Sequence, residues 1–141
     1  MEAGMSDAKS DLQVLLPPGW PRPKGYANGV AARGRSVHIA GMIGWDTDER
    51  LVGDDIVAQA RKALENIVAV LAEAGGRPEH LVRVTWYVTD KREYLAAGRE
   101  IGAAYREIIG SYNAAMSAVE VSALMEDGAK IEIEATAVVP D

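Results

Sequence analysis

Apolar and polar residues alternate through the last part of the chain. Residues 113–139 read NAAMSAVEVSALMEDGAKIEIEATAVV. Val119, Val121 and Ala123 would fall on one face of a first strand; Ile131, Ile133, Ala135 and Ala137 would fall on one face of a second. A period of two predicts strands with one face on a core. Between them stands Asp127-Gly128, a dipeptide that tolerates positive φ, so the stretch predicts a hairpin turning at 125–128. The opposite faces carry Met116, Ala118, Glu120 and Ser122, then Lys130, Glu132, Glu134 and Thr136. Three carboxylates, Glu120, Glu132 and Glu134, would thus share the non-core side of one strand pair.

The period changes upstream. In 54–74, Ile56, Ala60, Ala63, Leu64, Ile67 and Leu71 recur at steps of three and four, which predicts an amphipathic helix. Its polar face would hold Gln59, Lys62, Glu65, Asn66 and Glu73, and Gly75-Gly76 supplies a left-handed stop. Residues 81–89 are rich in β-branched and aromatic side chains and read as a strand with Trp86 and Tyr87 on opposite faces. A second helix follows to about residue 109, with Tyr94, Leu95, Gly98, Ile101, Gly102 and Tyr105 on its apolar side. Strands are expected at 26–32 and 36–42, the latter with Val37 and Ile39 on one face and His38 and Ala40 on the other. Leu12 to Leu16 reads as an added edge strand, cut off by a Pro-rich loop, and residues 1–11 read as a disordered tail. The order β-β-α-β-α-β-β predicts an α+β fold in a single domain, 12–141, with two helices on one face of a mixed sheet. The face left open is expected to meet another subunit.

Charge and composition narrow the function. The net charge is −6 and no Lys/Arg run offsets it, which argues against a nucleic-acid partner. There is no cysteine, hence no disulfide, thiolate nucleophile or cysteine metal site. The two histidines, His38 and His80, have no ligand spacing to the acids, so no metal is expected. The glycines form no nucleotide fingerprint. No apolar run approaches a membrane span and the first residues are polar, so a cytoplasmic protein without membrane contact is expected. Three acids on adjacent strands suit a general acid or base, or the holding of a water; a solvated face is the alternative.

Taken in order, several segments resemble the RidA/YjgF family of reactive-intermediate deaminases, also called endoribonuclease L-PSP-like. They are Val37-His38-Ile39-Ala40-Gly41, Gln59 with Ala63-Leu64-Glu65-Asn66, Ala74-Gly75, Val84-Thr85-Trp86-Tyr87-Val88-Thr89-Asp90, Val119-Glu120-Val121 and Ile131-Glu132-Ile133-Glu134. The resemblance implies a chorismate-mutase-like fold and a homotrimer with a central barrel. Small-molecule ligands would bind in its inter-subunit clefts. It implies cofactor-free hydrolysis of enamines or imines to carbonyl compounds and ammonia. Glu132 matches the water-orienting acid, Tyr26 the tyrosine at the cleft mouth and Tyr87 the cleft aromatic. Ala40-Gly41 match a ligand-binding Ser-Gly; Met116 and Ala118 complete the implied substrate-binding set. Met116 stands where the deaminases carry an arginine that clamps the substrate carboxylate, in Ala114-Ala115-Met116-Ser117. That loss implies a substrate other than the usual α-carboxylate type and a cleft more apolar or more negative than theirs. The family's helix asparagine falls near Gly102. A non-catalytic trimer that binds a small metabolite is the second reading; ribonuclease or translation-inhibitor activity rests on the older family label alone.

Overall fold

The computed structural model describes residues 12–141; the expected N-terminal tail lies outside them. The elements are β1 (Leu12–Leu15), β2 (Gly29–Ala32), β3 (Arg35–Met42), α1 (Ile56–Glu73), β4 (Leu81–Val88), α2 (Lys91–Ala96), α3 (Gly98–Ile108), β5 (Ala115–Glu120) and β6 (Ile131–Val139), with a short 3-10 turn at Pro78–His80. β1 and β2 form an antiparallel ribbon. The main sheet has the order β3-β6-β4-β5; β5 runs parallel to β4 and the other pairs are antiparallel. This is the expected α+β class with a mixed sheet. Among the described residues, no helix is long and apolar enough to cross a membrane.

The expected hairpin at 113–139 does not form. β4 lies between β5 and β6, so the two strands that alternate so clearly never pair. Alternation reports which face is buried, not which strand is the neighbour. The face of β5 is also the reverse of the expectation. Met116 packs against the core beneath the helices, whereas Val119 is 45% exposed on the sheet's open face, in register with Tyr87. In β6 the expectation holds: Ile131, Ile133, Ala135 and Ala137 are buried, and Glu132, Glu134 and Thr136 lie on the other side.

α1 buries the predicted face, from Ile56 through Leu71, and packs on β6 and β3. Asp55 caps it, its carboxylate accepting the Ala58 N–H at 3.0 Å, and Gly75 leaves it with φ 75°. Gln59 departs from the expected polar face and is fully buried. Its Nε2 donates to the carbonyls of Gly53 (2.7 Å) and Gly128 (3.0 Å), and its Oε1 accepts the Lys130 N–H at 2.8 Å. One side chain therefore joins the entry to α1, the 125–128 turn and the start of β6. The expected second helix is two, broken at Ala97. Asp90 caps α2 through the N–H groups of Arg92 and Glu93, and Glu120 accepts the Lys91 N–H at 2.7 Å. Glu120 thus serves a helix start and stands apart from Glu132 and Glu134, contrary to the expected triad of acids.

Candidate functional site

Two clefts of about 560 Å³ each take up four of the seven residues singled out by sequence. The first opens between α2–α3 and β4–β5. Trp86, 5% exposed, forms its base on the core face of β4, with the rings of Tyr94 and Tyr105 tilted against it at 6.4 and 5.9 Å. Met116 lies on the same face of β5 and lines the cleft; Tyr26, 40% exposed, stands at its edge. Gly102 also lines it, where the family match placed the helix asparagine. Tyr105 is buried and its hydroxyl has no hydrogen-bond partner among the described residues. Burial pushes this phenol up to about 12, so it stays neutral near pH 7.

The second cleft lies beside the end of β3 and is lined by Gly41, Trp45, Asn66, Met125 and Glu132, among others. Gly41 has a steric reason to be glycine: a methyl group there would overlap the Glu132 carboxylate. The strand pairing of β3 with β6 also slips between Ile39 and Met42, which brings this backbone against Glu132. Gly44 is held as tightly, since a methyl group at that position would lie 2.7 Å from the Gln59 Cα. Asn66 fixes the adjoining loop, donating from Nδ2 to the carbonyls of Ile43 (3.2 Å) and Trp45 (3.0 Å). Periodicity had assigned Gln59 and Asn66 to a solvated face; both instead position the wall that carries Gly41 and Glu132. The resemblance had picked out both residues, without their role.

Tyr87 lies on the open sheet face opposite Glu132 in register, and its hydroxyl donates to Glu134 at 2.5 Å. That hydrogen bond, then burial and the charges of Glu134 and Glu132, push the phenol above its ordinary range. Ala40 and Ala118 are both exposed, on β3 and β5. The open face also carries His38, Arg83, Thr85 and Glu134, around a smaller hollow of about 190 Å³.

The seven residues thus do not meet in one copy of the chain. Tyr26 and Met116 line the first cleft, Gly41 and Glu132 the second, and the two linings share no residue. The charge of the first cleft is its own feature. Among the described residues the first cleft is lined by two cations, Lys24 and Arg106, and by no acid. Arg106 escaped notice because α3 periodicity puts it on the polar side; the signal was Gly102, one turn earlier.

The matches to known proteins bear on the whole of this arrangement. The family model described as endoribonuclease L-PSP matches residues 21–139. A 2-iminobutanoate/2-iminopropanoate deaminase of Salmonella typhimurium is 37% identical over 116 residues, 80% of this chain and 86% of that protein. A RutC family protein of Pyrococcus abyssi is 33% identical over 126 residues, 89% and 95% of the two chains. Among solved structures, YyfB of Yersinia pestis, of the conserved Rid protein family, superimposes with a TM-score of 0.78 at 35% identity, covering 92% of this chain and 99% of its own. Sequence motifs, fold and relatives agree, and the chain belongs to the endoribonuclease L-PSP family, the RidA/YjgF proteins, with methionine at position 116.

Proposed function

We propose that this protein is a cytoplasmic homotrimeric hydrolase that converts a reactive enamine or imine to a carbonyl compound and ammonia. Each working site joins the first cleft of one copy to the second cleft of a neighbour around a central barrel. The observation that carries this reading is the separation just described: Tyr26 and Met116, matched to the same family site as Gly41 and Glu132, line a different cleft of the single chain. A second copy is the simplest way to bring them together. The named activity of the Salmonella relative supplies the reaction class.

The chemistry asks little of the protein. An enamine first takes a proton on carbon to become the imine; water then adds to the electrophilic carbon of the C=N group, and the nitrogen takes a proton. The carbinolamine then collapses, the C–N bond breaks and ammonia leaves. Glu132 holds the attacking water and accepts its proton. Tyr26 closes the mouth of the first cleft, Tyr87 and Ala118 flank the bound substrate, and the backbone at Ala40 and Gly41 contacts it. Fixing water and imine in contact supplies the rest by proximity. No cofactor takes part. The test is ammonia release from a panel of enamines and imines by wild type and Glu132→Gln; equal release by both ends the proposal.

Met116 sets the substrate class. A thioether cannot make the charge-assisted, two-pronged contact that an arginine makes with a carboxylate. Small α-imino acids such as 2-iminobutanoate are therefore expected to be poor substrates. Met116→Arg is expected to raise kcat/KM for them by roughly tenfold, the scale of one hydrogen bond to a charged group. Efficient wild-type turnover of 2-iminobutanoate would contradict this. The apolar floor formed by Met116 and Trp86 also favours a second reading, a trimer that binds an apolar metabolite without turning it over. Ammonia release separates the two.

A further inference from the structure

The first cleft has lost one arginine and gained another from a different wall. Arg106 sits in the last turn of α3. Helical side chains lean toward the N-terminus, so its guanidinium reaches back one turn, over position 102. Residue 102 is glycine, and the space is open. A methyl group there would meet the Arg106 Nη1 at 3.5 Å and, apart from the helix's own backbone and neighbouring residues, nothing else within 4 Å among the described residues. The guanidinium therefore lies across the bare patch that Gly102 leaves in the cleft wall.

The surroundings leave this charge for a ligand. No carboxylate stands three or four residues from Arg106; those positions hold Gly102, Ala103, Ile109 and Gly110. The adjacent Glu107 is held by Arg61, at 2.8 and 3.3 Å. No ion pair includes Arg106 among the described residues. The position near a helix C-terminus accounts for a cation in the last turn. It does not account for a cleft without an acid among the described residues, in a chain of net charge −6 that has 21 acids against 15 Lys and Arg. Met116 and Trp86 offer the same cleft an apolar floor, and Arg106 is exposed at its rim.

We infer that Arg106 holds the anionic group of the substrate at the mouth of the first cleft, so that the preferred substrate carries a terminal carboxylate beyond an apolar body that lies over Met116. This rests on the first cleft being the substrate half of the proposed hydrolase. The usual anchor, beside the reacting carbon, is thereby exchanged for one farther along the molecule.

Binding can be read without turnover. The full chain, labelled at its methionine methyl groups, is titrated with hexanoate and with its neutral counterpart hexanamide while the Met116 signal is followed by NMR. In the wild type hexanoate is expected to bind at least about tenfold more tightly than hexanamide, the scale of a charge-assisted hydrogen bond. Arg106→Gln should bring hexanoate to the level of hexanamide, and Arg106→Lys should restore part of the preference. Should Arg106→Gln fail to fold, Lys24→Gln decides: a preference that survives leaves Arg106 as its source. The inference is overturned if hexanoate and hexanamide bind alike in the wild type or neither moves the Met116 signal. It is equally overturned if Arg106→Gln leaves the preference intact, or if Lys24→Gln abolishes it. Arg106-dependent binding without ammonia release from any imine would sink the hydrolase reading alone; ammonia release with Arg106-independent binding would sink this inference alone.

Discussion

Glu132→Gln is expected to lower kcat for the best imine substrate by roughly 10²- to 10⁴-fold, the range for loss of a positioned general base. Glutamine keeps the shape of the side chain and removes only its capacity to take a proton. The fold should not notice. Glu132 is flanked on β6 by Ile131 and Ile133, both fully buried, and these anchor the strand whatever residue 132 carries. KM should change little, because in the proposed site the substrate's body rests in the first cleft, whose lining does not include Glu132. Steady-state ammonia release together with a melting curve checks both halves. A fall in kcat below about tenfold would mean that Glu132 does not handle the water proton.

Gln59→Leu is expected to destabilise the fold by about 3–5 kcal/mol. Leucine fills nearly the same volume, so the packing loss is small. What is lost is the pairing of three backbone groups: the carbonyls of Gly53 and Gly128 and the N–H of Lys130. A buried polar group left without a partner costs about 1–3 kcal/mol, and water can reach some of these from the exposed side of the loops. The turn at 125–128 should loosen together with the start of α1, since a single amide joins them. Urea denaturation of the two proteins gives the difference, and a cost under about 1 kcal/mol would show that these loops hold themselves. Glu132 lies two residues beyond Lys130, so reduced activity in this variant is expected to follow the loss of structure.

The two variants mark what could be read from the sequence. α1 was legible because its apolar stripe is long and unbroken, and β6 because every second residue is apolar from Ile131 to Ala137. The partner of β6 was not legible. A ten-residue loop, 121–130, is long enough for another strand to lie between its ends, and nothing in local alternation announces β4 there. The face of β5 was inverted for a related reason: Val119 is apolar but lies on the open face, where the proposed assembly would cover it. Gln59 was misplaced because a buried amide and a solvated one look alike in a hydropathy pattern. Its three backbone partners come from loops up to 71 residues away, and those contacts exist only once the chain is folded. The candidate site was half legible. Individual residues could be matched to a family pattern, but their separation into two clefts, and the two cations of the first, are properties of the fold.

The central claim is that a working site takes one cleft from each of two copies, and mixed assemblies test it most directly. Glu132→Gln disables the second cleft, and Gly102→Trp fills the first. Each variant alone should be inactive. Unfolded together in equal amounts and refolded, they should form mixed trimers in which about one site in four combines two intact halves, with ammonia release near a quarter of the wild-type rate. Two variants that refold, assemble together and still release no ammonia would place the whole site within one chain and contradict the account.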